Sequence, residues 1–139
     1  MTRNVFAVVF GVVTAVILIM IIETAGHSVY PPASDIDLQD MQAMAKYVDT
    51  LPIGALLFVM LAWVAGTIGG GLVACFIARN RAMVFASIVG GMVLFATIYT
   101  LTTIPHPMWF SITSVIAIAI ATWITGIIGR NFELPGAAK

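Results

Sequence analysis

VFAVVFGVVTAVILIMII, residues 5–22, carries no charged side chain and a single hydroxyl, Thr14. At about 1.5 Å of rise per residue, a helix of this length spans the roughly 30 Å hydrocarbon core of a bilayer. Three further stretches, 52–78, 82–104 and 108–129, are longer still and equally free of charge. Strands of a membrane barrel need only about ten residues and alternate in polarity, so uninterrupted runs of this kind predict helices. The expected fold is therefore all-α, an integral membrane four-helix bundle. It forms a single transmembrane domain over 1–139, with helices at about 5–26, 52–78, 82–104 and 108–129 and an outer loop at 27–51.

Composition points the same way. Hydrophobic residues make up 61% of the 139 and charged residues 9%, whereas a soluble domain carries about 25% charged residues. With mean hydropathy at +1.09, the apolar side chains exceed what one small core can hide, and the lipid bilayer is the expected partner. Six Lys and Arg balance six Asp and Glu, leaving no basic excess for a phosphate backbone, so nucleic acid is excluded. One cysteine, Cys75, forms no intrachain disulfide and builds no zinc or iron–sulfur site alone. It reads as an apolar filler rather than an acylation site.

Charge placement predicts the orientation. Arg3, Arg79, Arg81, Arg130 and Lys139 fall on one side of the four spans, while Glu23, Asp35, Asp37, Asp40 and Asp49 fall on the other, offset by Lys46. Short loops rich in Lys and Arg stay in the cytoplasm, so both termini are expected there, in a membrane of bacterial inner type. The first apolar run exceeds the length of a signal-peptide core, and Glu23 makes a poor approach to the small residues at 24–26, so that helix is expected to be retained. In the outer loop, Pro31-Pro32 stops the first helix. Ser34 with Asp37 then resembles a capping box ahead of Leu38, Met41, Met44, Ala45 and Val48 at helical spacing, a short amphipathic helix. Tyr30, Tyr47 and Trp109 fit an interfacial aromatic belt.

Two features bear on function. The second helix repeats Ala62, Gly66, Gly70, Ala74 and Ala78 every four residues, with Gly69 and Gly71 alongside. Small residues at that spacing let another backbone approach closely. Helix three, with Ala86, Gly90 and Gly91, and helix four, with Ala117 and Ala121, are the expected intrachain partners, and a homo-oligomer or a larger membrane complex is the other use of such a strip. The second feature is ionisable. Glu23 and His27 are four residues apart on one helical face, and His106 lies in the turn 104–107 on the same side. If they converge they form a candidate ion, proton or metal site, since imidazole titrates near neutrality and carboxylate with imidazole suits divalent ions. About 27 Å of helix separates Val5 from Glu23, which places the carboxylate at the interface and lets water hydrate it there. Thr97, Tyr99, Thr100, Thr102, Thr103, Ser111, Thr113 and Ser114 make a hydroxyl-rich region that packs helices or lines a vestibule.

No P-loop, HExxH, CxxC or plausible Ser-His-Asp set occurs, so the expectation is a protein that is not an enzyme and holds no cofactor. Ala62–Gly69 and Thr122–Gly129 share Trp, Gly, Ile and Gly in register, a hint of a duplicated hairpin. In length and helix count the chain resembles the small multidrug resistance transporters, which have four helices and work as dimers. That family carries a glutamate near the middle of its first helix, whereas Glu23 lies at the end of this one, so their mechanism does not transfer. Ile22-Glu23-Thr24-Ala25-Gly26-His27-Ser28-Val29-Tyr30-Pro31-Pro32 also resembles small bacterial inner-membrane proteins without an assigned reaction. Together these features predict a non-catalytic packing, accessory or oligomer-forming membrane module. A small transporter or channel with a Glu/His entry site is the alternative, and a metal-dependent membrane enzyme or sensor is the third reading.

Overall fold

The computed structural model describes residues 2–31 and 40–135. Five α-helices follow in order: α1 (Thr2–Val29), α2 (Met41–Thr50), α3 (Ile53–Ala78), α4 (Ala82–Thr103) and α5 (Met108–Gly129), with a single 3₁₀ turn over Arg130–Phe132. The four long helices are apolar and long enough to cross a membrane and pack as a bundle, which makes this a multi-pass membrane protein in contact with lipid. Exposed apolar side chains such as Phe6, Phe10, Ile17, Phe95 and Trp123 lie where hydrocarbon, not water, surrounds the bundle.

α3 is the central helix and touches the other three. Its small-residue strip is buried as its spacing predicts, but the helix that fills it from residue 66 to 74 is α1, not α4 or α5. α1 buries only Ala7, Gly11, Ala15 and Gly26, and the first three repeat every four residues, so two flat strips meet. A Cβ built on Gly11 would stand 2.8 Å from both Ala74 Cβ and the Gly70 carbonyl oxygen. One built on Gly70 would meet the Gly11 carbonyl oxygen and come within 2.7 Å of Ala15 Cβ. One on Gly66 would lie 2.6 Å from Ile19 Cγ1 and 2.9 Å from the Ala15 carbonyl oxygen. The backbones thus touch along two turns, the contact that replaces a hydrophobic driving force inside lipid. On the rest of α3, Gly69 seats Leu18 and Gly71 seats Thr125. Gly90 of α4 seats Thr122, whereas Gly91 is exposed with nothing within 4 Å, so it takes no part in intrachain packing.

Arg3, Arg79, Arg81 and Arg130 gather at the bundle end that holds both described chain ends; the other end is called distal below. At the arginine end, Asn80 Nδ2 donates to Asn4 Oδ1 at 3.3 Å, and the Leu134 N–H donates to the Arg79 carbonyl at 3.1 Å. The Ala82 N–H donates to Glu133 Oε1 at 2.6 Å, so a residue beyond α5 caps the start of α4. Arg79 and Arg81 both adopt left-handed backbone conformations, φ 52° and φ 42°, to turn α3 into α4 within three residues. Cys75 is buried and its Sγ lies 3.3 Å from the Ala82 carbonyl, the surroundings of a packed filler.

α2 starts at Met41, capped by Asp40, whose carboxylate accepts from the Gln42 N–H at 2.8 Å. The expected cap at Ser34 with Asp37, and Leu38, lie outside the described residues. Val48 is buried, and Gln42, Lys46 and Asp49 are exposed, an amphipathic arrangement across the distal end. The suggested duplication is not reflected in use: Trp63 is 6% exposed and Trp123 is 61% exposed.

Candidate functional site

Glu23 stands on α1 six residues before its last residue, Val29, and is half-buried. One turn further on, His27 shares its face and lines the same distal pocket, while Trp63 of α3 borders the cleft that Glu23 also lines. Glu23, Gly26 and His27 of α1, Tyr47 of α2 and Ala55, Phe58 and Val59 of α3 surround a small distal pocket of about 70 Å³, closed by Tyr30 and Leu51. Tyr30 packs edge-on against Phe58, ring centroids 6.1 Å apart.

On its other side Glu23 borders a much larger space. α1 follows α3 so closely that it touches α4 along little of its length, and between α1 and α4 a cleft of about 500 Å³ remains. Its walls are Val12, Ala15, Val16 and Ile19 of α1 and Met92, Val93, Phe95 and Ala96 of α4, and Trp63 forms its floor. Its polar lining groups are Glu23, Thr97 and Thr100. Glu23 therefore lines both spaces, the lateral cleft and the distal pocket.

His106 lies elsewhere. In the turn before α5 its Nδ1 is 2.6 Å from the Ile104 carbonyl oxygen, and its ring stacks on Phe110 with centroids 5.3 Å apart. Phe110 in turn lies 5.7 Å from the Trp63 ring. An aromatic stack thus separates His106 from the Glu23 side, and His106 lines neither space. Glu23 and His27 are brought together; His106 does not join them. Among the described residues, no three of His, Cys, Asp and Glu gather in a group able to hold a metal ion.

Most of the hydroxyls donate to carbonyls of their own helix. Thr100 donates to the Ala96 carbonyl at 3.0 Å, Thr103 to Tyr99 at 2.8 Å and Thr113 to Trp109 at 2.7 Å, each within its own helix. Only Thr97 and Thr100 of that group face the cleft. Trp63 is the participant that sequence reasoning overlooked. Its one signal is its place next to Ala62 of the small-residue strip, because a bulky indole beside such a strip needs room between helices. No protein-family model, curated protein or solved structure matches the chain, so the reading of this site stands on its geometry.

Proposed function

We propose that this protein is a non-catalytic association module of a bacterial-type inner membrane, with both termini cytoplasmic, that holds a hydrocarbon component of the bilayer in the cleft between α1 and α4. The observation that carries this reading is the cleft itself, about 500 Å³ of space with almost wholly apolar walls between two lipid-exposed helices. A site of that volume is typical for a small amphiphile. The four arginines gathered at one end favour the cytoplasmic placement of the termini.

The test uses Trp63 as the reporter. In a Trp109→Phe, Trp123→Phe protein reconstituted into phosphatidylcholine with brominated chains, hydrocarbon in the cleft quenches Trp63 fluorescence. Filling the cleft by Ala96→Phe is expected to relieve much of that quenching. Unchanged quenching would refute the reading.

One observation favours a second reading, a small transporter: Glu23 lines both the cleft and the distal pocket, so a single carboxylate joins the two spaces. On this reading pH-dependent flux in liposomes is lost in Glu23→Gln and kept in His106→Ala, because His106 lines neither space. Flux that survives Glu23→Gln removes it.

A further inference from the structure

The cleft's apolar walls cannot select an occupant, because a hydrocarbon chain gains almost nothing on leaving neighbouring chains for an equally apolar groove. Selection falls to the polar groups at one end. Glu23 is the only ionisable residue lining the cleft among the described residues. The Thr100 hydroxyl has already given its proton to the Ala96 carbonyl and turns lone pairs outward. A carboxylate offers about four acceptor positions, and His27 approaches from the pocket side. The rim is therefore rich in acceptors and its one ionisable group is a carboxylate, complementary to a head that brings several N–H donors and positive charge.

Depth fits the same head. At about 1.5 Å per residue the 28 residues of α1 measure about 42 Å, some 12 Å more than the hydrocarbon core. Shared between both ends, the excess puts each helix end about 6 Å outside the core, and Glu23, about 9 Å back from Val29, about 3 Å inside its boundary. A lipid headgroup sits directly above that level, and its chains run along the cleft.

We propose that the α1–α4 cleft is a lipid site selective for a primary-amine headgroup of the phosphatidylethanolamine class, whose ammonium pairs with Glu23 while one acyl chain occupies the cleft over Trp63. The inference rests on the association reading above and names its occupant. A primary ammonium donates three hydrogen bonds, whereas the trimethylated head of phosphatidylcholine donates none.

The same single-tryptophan protein, placed in unbrominated phosphatidylcholine with a minority of brominated-chain phosphatidylethanolamine or brominated-chain phosphatidylcholine, tests this. The ethanolamine lipid is expected to quench Trp63 about twofold to fivefold more efficiently, the range of a partly exposed ion pair. Glu23→Gln is expected to equalise the two lipids, and Glu23→Asp to keep a preference. Equal quenching by both lipids, lowered for both by Ala96→Phe, overturns the headgroup assignment and leaves the association reading standing. Quenching that Ala96→Phe does not alter overturns both. A preference that persists in Glu23→Gln overturns the role of the carboxylate. Displacement by tetradecylammonium but not by unbrominated phosphatidylethanolamine would replace the lipid with a single-chain amine. The comparison in the parent protein stands even if Glu23→Gln does not fold.

Discussion

Replacing Gly70 by alanine tests whether main-chain contact between α1 and α3 holds the bundle together. The new Cβ would meet the Gly11 carbonyl oxygen and lie 2.7 Å from Ala15 Cβ. Neither neighbour is the far end of a flexible side chain, so one helix must move. Overpacking of this kind costs about 1–3 kcal/mol, and glycine to alanine inside a helix returns about 0.5–1 kcal/mol. Gly91→Ala is the internal control, because it makes the same chemical change in a long helix at a position with nothing within 4 Å. The propensity gain is common to both variants, so their difference isolates the steric term at about 1–3 kcal/mol. Reversible unfolding in mixed micelles, titrated with denaturing detergent, measures both. Gly91→Ala should equal or exceed the parent in stability and Gly70→Ala should fall below it. Equal stability of the two variants would refute the close-contact account of the α1–α3 seam.

Three further outcomes are expected. Gly90→Ala collides with Thr122, whose hydroxyl is tied to the Ile118 carbonyl at 2.8 Å, and Thr122→Ala clears that space; a double-mutant cycle should therefore give a favourable coupling of about 0.5–3 kcal/mol. Glu133→Ala removes the acceptor that caps α4 at the Ala82 N–H and should cost about 0.5–2 kcal/mol in the same unfolding assay, with Glu133→Gln losing less. Ser114 is fully buried and its Oγ lacks a hydrogen-bond partner among the described residues, so Ser114→Ala should raise stability by about 1 kcal/mol; a loss would mean that the hydroxyl is satisfied in the membrane.

The spans were legible because their signal is summed over some twenty residues, and the α3 strip because a four-residue repeat survives any choice of neighbour. What covers that strip was not legible in the same way. Ala7, Gly11 and Ala15 carry the same repeat on α1, but Val and Ile surround them so densely that three small residues stand out less than the seven on α3. The Glu23–His27 pair followed from i, i+4 geometry alone. His106 depended on which way a proline-flanked turn sends its ring, and the turn sends it back onto Phe110. The cleft had no sequence signature at all, since it is the space left over when one helix prefers one neighbour. The left-handed Arg79 and Arg81 were likewise hidden, because such positions usually signal themselves by glycine or asparagine.

Seam and cleft have one origin. The flat face of α1 draws it onto α3, and α1 consequently leaves α4, so the contact that stabilises the bundle also opens the lateral space beside it. An occupant touching α1 and α4 together would supply the contacts that those helices do not make with each other. By linkage, a component that binds only the folded bundle stabilises it in proportion to the logarithm of its occupancy term, about 1.4 kcal/mol for a tenfold excess over its dissociation constant. Stability measured in bicelles containing phosphatidylethanolamine should therefore exceed that in phosphatidylcholine alone, and the increment should vanish in Glu23→Gln while the α1–α3 seam stays intact. In Ala96→Phe, where the new ring fills the cleft, the increment should shrink as well. An increment unaffected by either substitution would separate lipid stabilisation from the cleft.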